Sequence, residues 1–383
     1  MLTIGIDYTS AIHQSAGIGR YTHEMVRALA ALTPTEKLSC YRLFMANAGR
    51  LANAPLPGPN FRAHPTRLSE RWLARLWFRL HLPLSIETWT GPLDLFHAPD
   101  FFLPPLRSKT RSIVTIHDLS FVREPETVMP GMGMPLNSRV PRSVARADHV
   151  IAVSEATRQD LIELYGTPPE KITTLYHGVN SAFRPVNEPV HLAAIRQKYK
   201  LEDRPFILSV GTIQPRKNYQ RLIQAFARLA APLDLVIVGS NGWGYEPIFA
   251  EVEKQGLSQR VHFPGFVADA DLPALYSAAE LFIYPSLYEG FGLPALEAMA
   301  CGTPVIAANR SALPEVVGKA GLLVDPLDVA AWTEAMAQVL GQTQLRQQLS
   351  AAGKIQASRF TWEGMAGQLW QLYQEVSRYA RLS

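Results

Sequence analysis

Two glutamates, Glu289 and Glu297, stand eight positions apart in LYEGFGLPALEAMACGTPVI (287–306), with Gly-Phe-Gly-Leu-Pro between them. The stretch reads as the end of a strand near Ser286, a turn carrying Glu289, and a helix from Pro294 to 300 that stops at Gly302. Gly290 and Gly292 allow tight backbone and a close approach to a ligand. The free amides around Phe291 to Leu296 then face the cleft, with the positive end of the helix dipole behind them. That suits an anion such as a diphosphate. A carboxylate is repelled by phosphate, so Glu289 suits the hydroxyls of a sugar and Glu297 those of a second polyol such as ribose. A plain strand–turn–helix with a solvated glutamate gives the same spacing.

Three further stretches bear on the same chemistry. VGTIQPRKN (210–218) follows a strand through Gly211 and presents Arg216 and Lys217, which can neutralise a departing diphosphate. A solvated basic turn is the competing reading. SAGIGRY (15–21) holds Gly17 and Gly19 between the first strand and a helix, with Arg20 beside them. Position 22 is Thr, so the dinucleotide fingerprint fails. VTIHDLSF (114–121) ends a buried strand on His117 and Asp118. A lone histidine at a strand end is often structural. On the carboxyl side of a doubly wound sheet it also lies where ligands bind.

The elements that must position these residues repeat. LTIGID (2–7), RSIVTIH (111–117) and DHVIAVS (148–154) read as buried parallel strands with helical stretches between them. The pattern restarts at RPFILSVG (204–211), LDLVIVGS (233–240), RVHFPG (260–265), AELFIYPS (279–286) and GTPVIAA (302–308). Two such series in 383 residues predict an α/β protein of two doubly wound Rossmann-like domains facing across a cleft. The joint falls in HGVNSAFRPVNEPV (177–190), giving domains 1–180 and 181–360. The tail, 361–383, reads as a closing helix packed back on the first domain.

Composition narrows the class. A hydrophobic content of 47% and a charged content of 18% exclude a disordered chain. Two distant cysteines, Cys40 and Cys301, make neither a disulfide framework nor a metal cluster. MLTIGIDYTS reads as a strand rather than a secretory signal, which fits a cytoplasmic location. No run of about 18 apolar residues predicts a membrane span. The net charge of +4 suits anionic ligands or an anionic membrane surface. No zinc-finger spacing, aromatic RNA-binding signature or long basic run points to nucleic acid.

Taken together, YPSLYEGFGLPALEAMACGTPVIA, GIGRY, VTIHDLSF, ADHVIAVSEATRQDLI, HGVN, VGTIQPRKN and GFVADADLPALYSAAELF resemble the retaining GT-B glycosyltransferases of family 4. The resemblance covers nearly the whole chain. It implies that Glu289 contacts sugar hydroxyls near the reacting carbon, that Gly290, Phe291, Gly292 and Leu293 hold sugar and diphosphate, and that Glu297 binds ribose. It implies that Arg216 and Lys217 stabilise the departing diphosphate, Phe266 and Val267 line the base site, and His117 touches the donor sugar. Gly17 and Gly19 would shape the loop between donor phosphate and acceptor, and Gly211 lies in the donor site. Many relatives carry Arg directly after that glycine; here the residue is Thr212. No Asp-x-Asp motif is evident in the cleft segments, so neither a metal nor another cofactor is expected.

The wording looks most like bacterial mannosyltransferases of surface-polysaccharide or glycolipid assembly. The expected donor is GDP-mannose, with UDP-glucose and other UDP- or dTDP-sugars as alternatives. The acceptor is a hydroxyl of a glycan or lipid-linked glycan. A nucleotide-sugar epimerase or hydrolase, and more remotely a non-catalytic sugar-binding protein, share the same plan. RLSERWLARLWFRLHLPL (67–84) spaces Arg67, Arg71, Arg75 and Arg79 four apart opposite Trp72, Leu73, Leu76, Trp77 and Leu80. This predicts a basic amphipathic helix suited to the inner face of the plasma membrane, or an ordinary packed helix with its arginines in water.

Overall fold

The computed structural model describes residues 2–14, 17–32, 39–47, 56–80, 82–201 and 204–382. Ser15 and Ala16 of the SAGIGRY stretch and His81 of the 67–84 stretch lie outside the described residues. The chain divides into two compact units. The first comprises Met1–Leu119, Gly131–Gly178 and Trp362–Ser383, and the second Ser120–Pro130 and Val179–Thr361.

The first unit is built on seven strands: β1 (Leu2–Asp7), β2 (Ser39–Met45), β3 (Phe61–Pro65), β4 (Leu95–Ala98), β5 (Arg111–Ile116), β6 (His149–Ala152) and β7 (Ile172–Thr174). All pair in parallel in the order β3-β2-β1-β4-β5-β6-β7. The second unit carries β8 (Phe206–Val210), β9 (Asp234–Val238), β10 (Val261–Gly265), β11 (Leu281–Tyr284), β12 (Val305–Ala308) and β13 (Leu322–Val324). Their order is β10-β9-β8-β11-β12-β13, also parallel. Both sheets are doubly wound, with the order reversing between β1 and β4 and between β8 and β11. Ligands of such sheets bind outside the carboxyl ends of the strands at that reversal.

The central strands are short apolar runs because both faces are covered. β4, β9, β11 and β12 are buried at every position. Helix Trp362–Leu382 belongs to the first unit, where Trp362, Met365, Ala366, Leu369, Leu372 and Tyr373 line one stripe against Tyr21, Met25 and Leu29. Each large side chain buried this way contributes roughly 1.5–3 kcal/mol. Tyr373 adds a polar tie, its hydroxyl lying 2.7 Å from Nδ1 of His97.

The segment Ser120–Pro130 departs from the boundary at residue 180 that composition suggests. It groups with the second unit, where Nε1 of Trp243 donates to the carbonyl of Thr127 at 2.8 Å. The two ends of the second unit's main segment meet, the amide of Val179 donating to the carbonyl of Phe360 at 3.0 Å.

The helix predicted over 67–84 is shorter and changes type. Ser69 caps an α-helix at Glu70–Ala74, accepting from the amide of Trp72. The chain then widens into a π-turn at Arg75–Arg79, closed by the amide of Leu80 donating to the carbonyl of Arg75 at 2.9 Å. The extra residue per turn rotates the expected faces. Leu73 and Trp77 are buried, but Trp72 and Leu80 stand out at 55% and 60% exposure. All four arginines are exposed.

Candidate active site

In the second unit, β8 and β11 flank the sheet's reversal, and the segments leaving their carboxyl ends carry the charged residues. After β8 the chain passes Gly211 and makes a short turn at Pro215–Lys217. Asn218 then takes a left-handed conformation, φ +58°, and starts the helix Tyr219–Ala227. Its Nδ2 donates to the carbonyls of Pro285 and Pro326 at 3.0 and 2.7 Å. Those bonds tie the basic turn to the loop after β11. The amide of Leu287 donates back to the carbonyl of Arg216 at 2.9 Å.

These ties bring three charges together. Nζ of Lys217 lies 2.6 Å from Oε1 of Glu289, and a guanidinium nitrogen of Arg216 lies 3.0 Å from Oε2. Lys217 and Glu289 are each 7% exposed. Nζ of Lys217 also donates to the hydroxyl of Tyr284 at 2.8 Å. Burial alone would raise the Glu289 carboxyl, but Arg216 and Lys217 outweigh it and hold it at about 2, below its ordinary 4.5. The residue is an anion at every physiological pH. The side chains of Ser286 and Tyr284 also bond the carboxylate, so a sugar hydroxyl must share or replace one of these contacts. Two cations against one carboxylate leave the cluster one positive charge for an incoming anion.

The helix expected after Glu289 spans Leu293–Ala300, with Gly292 at its N-cap in the left-handed region, φ +114°. It ends as expected. Gly302 takes φ +81° and donates to the carbonyl of Met299, while Thr303 donates to that of Ala298. The expected row of outward amides is shorter than Phe291 to Leu296. Ala295 and Leu296 both donate to the carbonyl of Gly292, closing the first turn. Among the described residues, the amides of Gly290, Gly292 and Leu293 have no protein acceptor. Glu297 is buried, and its carboxylate accepts from the hydroxyl of Tyr276 at 3.0 Å. A ribose there must share or replace that bond. At the edge of the same sheet, after β10, Phe266 is 60% exposed while its neighbour Val267 is buried.

The first unit holds His117 one residue past β5. Its Nε2 lies 2.7 Å from the carbonyl of Pro99. A carbonyl only accepts, so Nε2 carries the proton and Nδ1 is left as an acceptor. Tyr21 meets the ring edge-on at 4.9 Å. Burial pushes the imidazole down to about 4, against the smaller raising effects of Pro99 and Asp118. It is therefore neutral at pH 7. The H117Q variant should keep the wild-type shape of the pH–rate profile between pH 5.5 and 8. A limb near 6.5 that vanishes in H117Q would contradict this protonation state.

The glycines before the helix Ile18–Leu32 differ in role. Gly17 is exposed, at φ +59°. Gly19 lies inside the first turn, where a Cβ would sit 2.1 Å from the carbonyl oxygen of Gln14 and 2.7 Å from that of Ser10. Gly19 thus permits contact between two helices, Thr9–His13 and Ile18–Leu32. G19A should lower the melting temperature by several degrees, since backbone on both sides must move. An unchanged melting temperature would contradict that packing.

Sequence reasoning did not single out Tyr284, Asn218 or Ser311. Ser311 Oγ accepts from the amide of Glu289 at 2.8 Å and fixes the turn. Tyr284 ends an apolar strand, and Asn218 directly follows Arg-Lys. Both positions were visible as strand-end and turn-end polar residues, but their partners are 67 or more positions away.

Comparison with known proteins agrees with this architecture. The family described as Glycosyltransferase Family 4 matches residues 15–183, and that described as Glycosyl transferases group 1 matches residues 193–356. The chain is 33% identical to the O-antigen chain mannosyltransferase B of Escherichia coli, over 93% of this chain and 95% of that protein. It is 35% identical to the serotype-specific mannosyltransferase WbdA of Escherichia coli over 58% of this chain and 28% of that one. Its fold matches the sucrose-phosphate synthase of Thermosynechococcus elongatus with a TM-score of 0.77 at 24% identity, over 98% of this chain and 99% of the other. With two parallel doubly wound sheets, both family matches and a full-length relative, the chain belongs to the GT-B glycosyltransferases of family 4.

Proposed function

We propose that the protein transfers mannose from GDP-mannose to a hydroxyl of a glycan or lipid-linked glycan, with retention of configuration. The observation that carries the chemistry is Glu289 held between Arg216 and Lys217 at the carboxyl ends of β8 and β11. The choice of mannose is supported by the full-length likeness to an O-antigen chain mannosyltransferase.

In this reading the bond from the anomeric carbon to the phosphate oxygen breaks, and its electron pair leaves with the diphosphate. Arg216, Lys217 and the amides of Gly290, Gly292 and Leu293 receive that charge, as preorganised donors do in a site of low dielectric. The acceptor hydroxyl attacks from the face the diphosphate leaves, and its proton passes to a leaving phosphate oxygen. Glu289 orients the sugar by exchanging one of its protein contacts for a sugar hydroxyl and stabilises positive charge at the anomeric carbon. His117 offers Nδ1 to a sugar hydroxyl, Glu297 takes the ribose and Phe266 packs on the base. No metal is assigned to the leaving group, so turnover should survive a chelator.

A panel of GDP, UDP, ADP and dTDP with their sugars, read by melting temperature, tests the donor. Stabilisation by GDP and GDP-mannose alone supports mannose. Stabilisation by UDP-glucose instead replaces the donor and keeps the transferase.

We assign the exposed surface of 67–84 to an anionic membrane. Arg67, Arg71, Arg75 and Arg79 are exposed beside Trp72 and Leu80, and Arg75 lies over the Trp72 ring at 5.0 Å. Among the described residues no helix is long and apolar enough to cross a membrane. The protein should sediment with phosphatidylglycerol vesicles at low salt and be released by about 0.5 M salt, where the Debye length falls to a few ångströms. Equal sedimentation of a triple variant, R71E/R75E/R79E, would remove the assignment.

A further inference from the structure

The first unit contains a cavity of about 180 Å³ that the donor chemistry does not use. A single water needs only about 10–15 Å³, so the space takes a much larger guest. It lies at the reversal of strand order, where β1 and β4 part. Asp7 is the last residue of β1, and Asp100 follows β4 by two residues. Both line the cavity, with Glu70 from the helix Glu70–Ala74. The apolar walls are Trp77, Phe78 and Phe102. Trp77 is fixed by its own indole N–H, which donates to the carbonyl of Leu84 at 2.8 Å. The rings of Phe78 and Phe102 stand 5.9 Å apart.

The polar groups are not consumed by the fold. Asp7 is held only by Thr9, whose amide donates to it at 3.0 Å and whose hydroxyl bonds it as well. Among the described residues, the Asp100 carboxylate has no hydrogen-bond partner. Burial pushes it up to about 7, with Asp7 and Glu70 adding to the rise. At neutral pH it therefore offers both a donor and acceptors. One cation, Arg139, also lines the cavity, its guanidinium lying 5.1 Å from the centre of the Phe78 ring. Three carboxyls against one guanidinium make this a poor home for a phosphate. A partly charged carboxyl pair beside flat aromatic faces suits a neutral polyhydroxylated ring. Hydroxyls pair with the carboxyls, and the C–H face of the ring packs on the aromatics.

We propose that this cavity binds a neutral hexose unit of the acceptor glycan, with Asp100 and Asp7 taking its hydroxyls and Phe78 and Phe102 its apolar face. The inference rests on the glycosyltransferase reading and specifies the acceptor's chemistry: an uncharged sugar rather than a sugar phosphate.

The test is saturation-transfer NMR and calorimetric titration of mannobiose on the full chain, comparing wild type with D100A, D100N and F102A. Donor-nucleotide binding is read on the same samples by melting temperature. Wild type should bind mannobiose, D100A and F102A at least ten-fold more weakly, and D100N between them. All four should still be stabilised by nucleotide. Equal binding by wild type, D100A and D100N would overturn the assignment, as would preference for a sugar phosphate over mannobiose. Wild-type binding of mannobiose without stabilisation by any nucleotide would instead count against the donor site and leave the cavity standing.

Discussion

Replacing Glu289 by glutamine is expected to reduce kcat by about 10²–10³-fold while nucleoside diphosphate binds as tightly as before or more tightly. The two effects separate because Glu289 has two jobs. Toward the sugar it is an oriented anion beside developing positive charge. Toward Arg216 and Lys217 it is a counter-charge that a diphosphate must compete with. Glutamine keeps the shape and removes the charge, raising the cluster from one net positive charge to two. The fold should also weaken. Breaking a buried ion pair from one side leaves the partners uncompensated, at a cost on the order of 3 kcal/mol. The pH dependence gives the same size with a definite sign. The folded carboxyl sits at about 2 against an ordinary 4.5. A depressed carboxyl stabilises the folded state above 4.5 and loses that contribution as pH falls toward 2. The difference corresponds to about 3 kcal/mol. The stability advantage of wild type over E289Q, from urea melts, should therefore be full at pH 7 and shrink below pH 4.5. A constant advantage across that range, or weaker nucleotide binding by E289Q, would contradict the charge arrangement.

Lys217→Met carries the second large effect. The ammonium is the hub of the cluster, bonded to both Glu289 and Tyr284. Its loss should lower kcat by about 10²–10³-fold, because a leaving diphosphate loses one of two cationic donors. Nucleotide affinity should fall as well, opposite to E289Q. Glu289 is left with Arg216 alone, so its carboxyl should rise toward its ordinary value, and the acid-sensitive window of stability should move up in pH. K217R should recover nucleotide affinity better than turnover, since a planar guanidinium cannot reproduce the position of Nζ between Glu289 and the Tyr284 hydroxyl. Nucleotide binding by K217M equal to wild type would remove Lys217 from the diphosphate site.

Much of this was legible in sequence where the physics is local. β8, β9, β11 and β12 are short, mostly apolar runs next to Gly or Pro, and they form as read. β2 was hidden by Arg42 at its centre, whose guanidinium reaches the carbonyls of Thr90 and Pro92. β4 is four residues long and includes His97, satisfied by Tyr373 and Thr115 from other elements. β7 and β13 have three residues each, too few for a pattern. The 67–84 segment has a clean four-residue spacing, yet a π-turn breaks it. At the site, Arg216, Lys217 and Glu289 were readable as charges beside strand ends. Their mutual pairing was not, because it depends on strand order. The burial of Glu297 against Tyr276 is likewise set by packing, whereas the bonds from Ala295 and Leu296 to the carbonyl of Gly292 are local and follow from where the helix starts. The carboxyl pair of Asp7 and Asp100 is 93 positions apart in sequence and meets only because β1 and β4 are neighbours.

The most direct measurement follows the anomeric proton of GDP-mannose by NMR as the protein acts on it with a mannobiose acceptor and a chelator present. Steady loss of donor, one GDP per new glycosidic bond and a product with the donor's anomeric configuration are expected. An inverted product, free mannose with no gain from the acceptor, or an inert GDP-mannose beside a consumed UDP-sugar would contradict it.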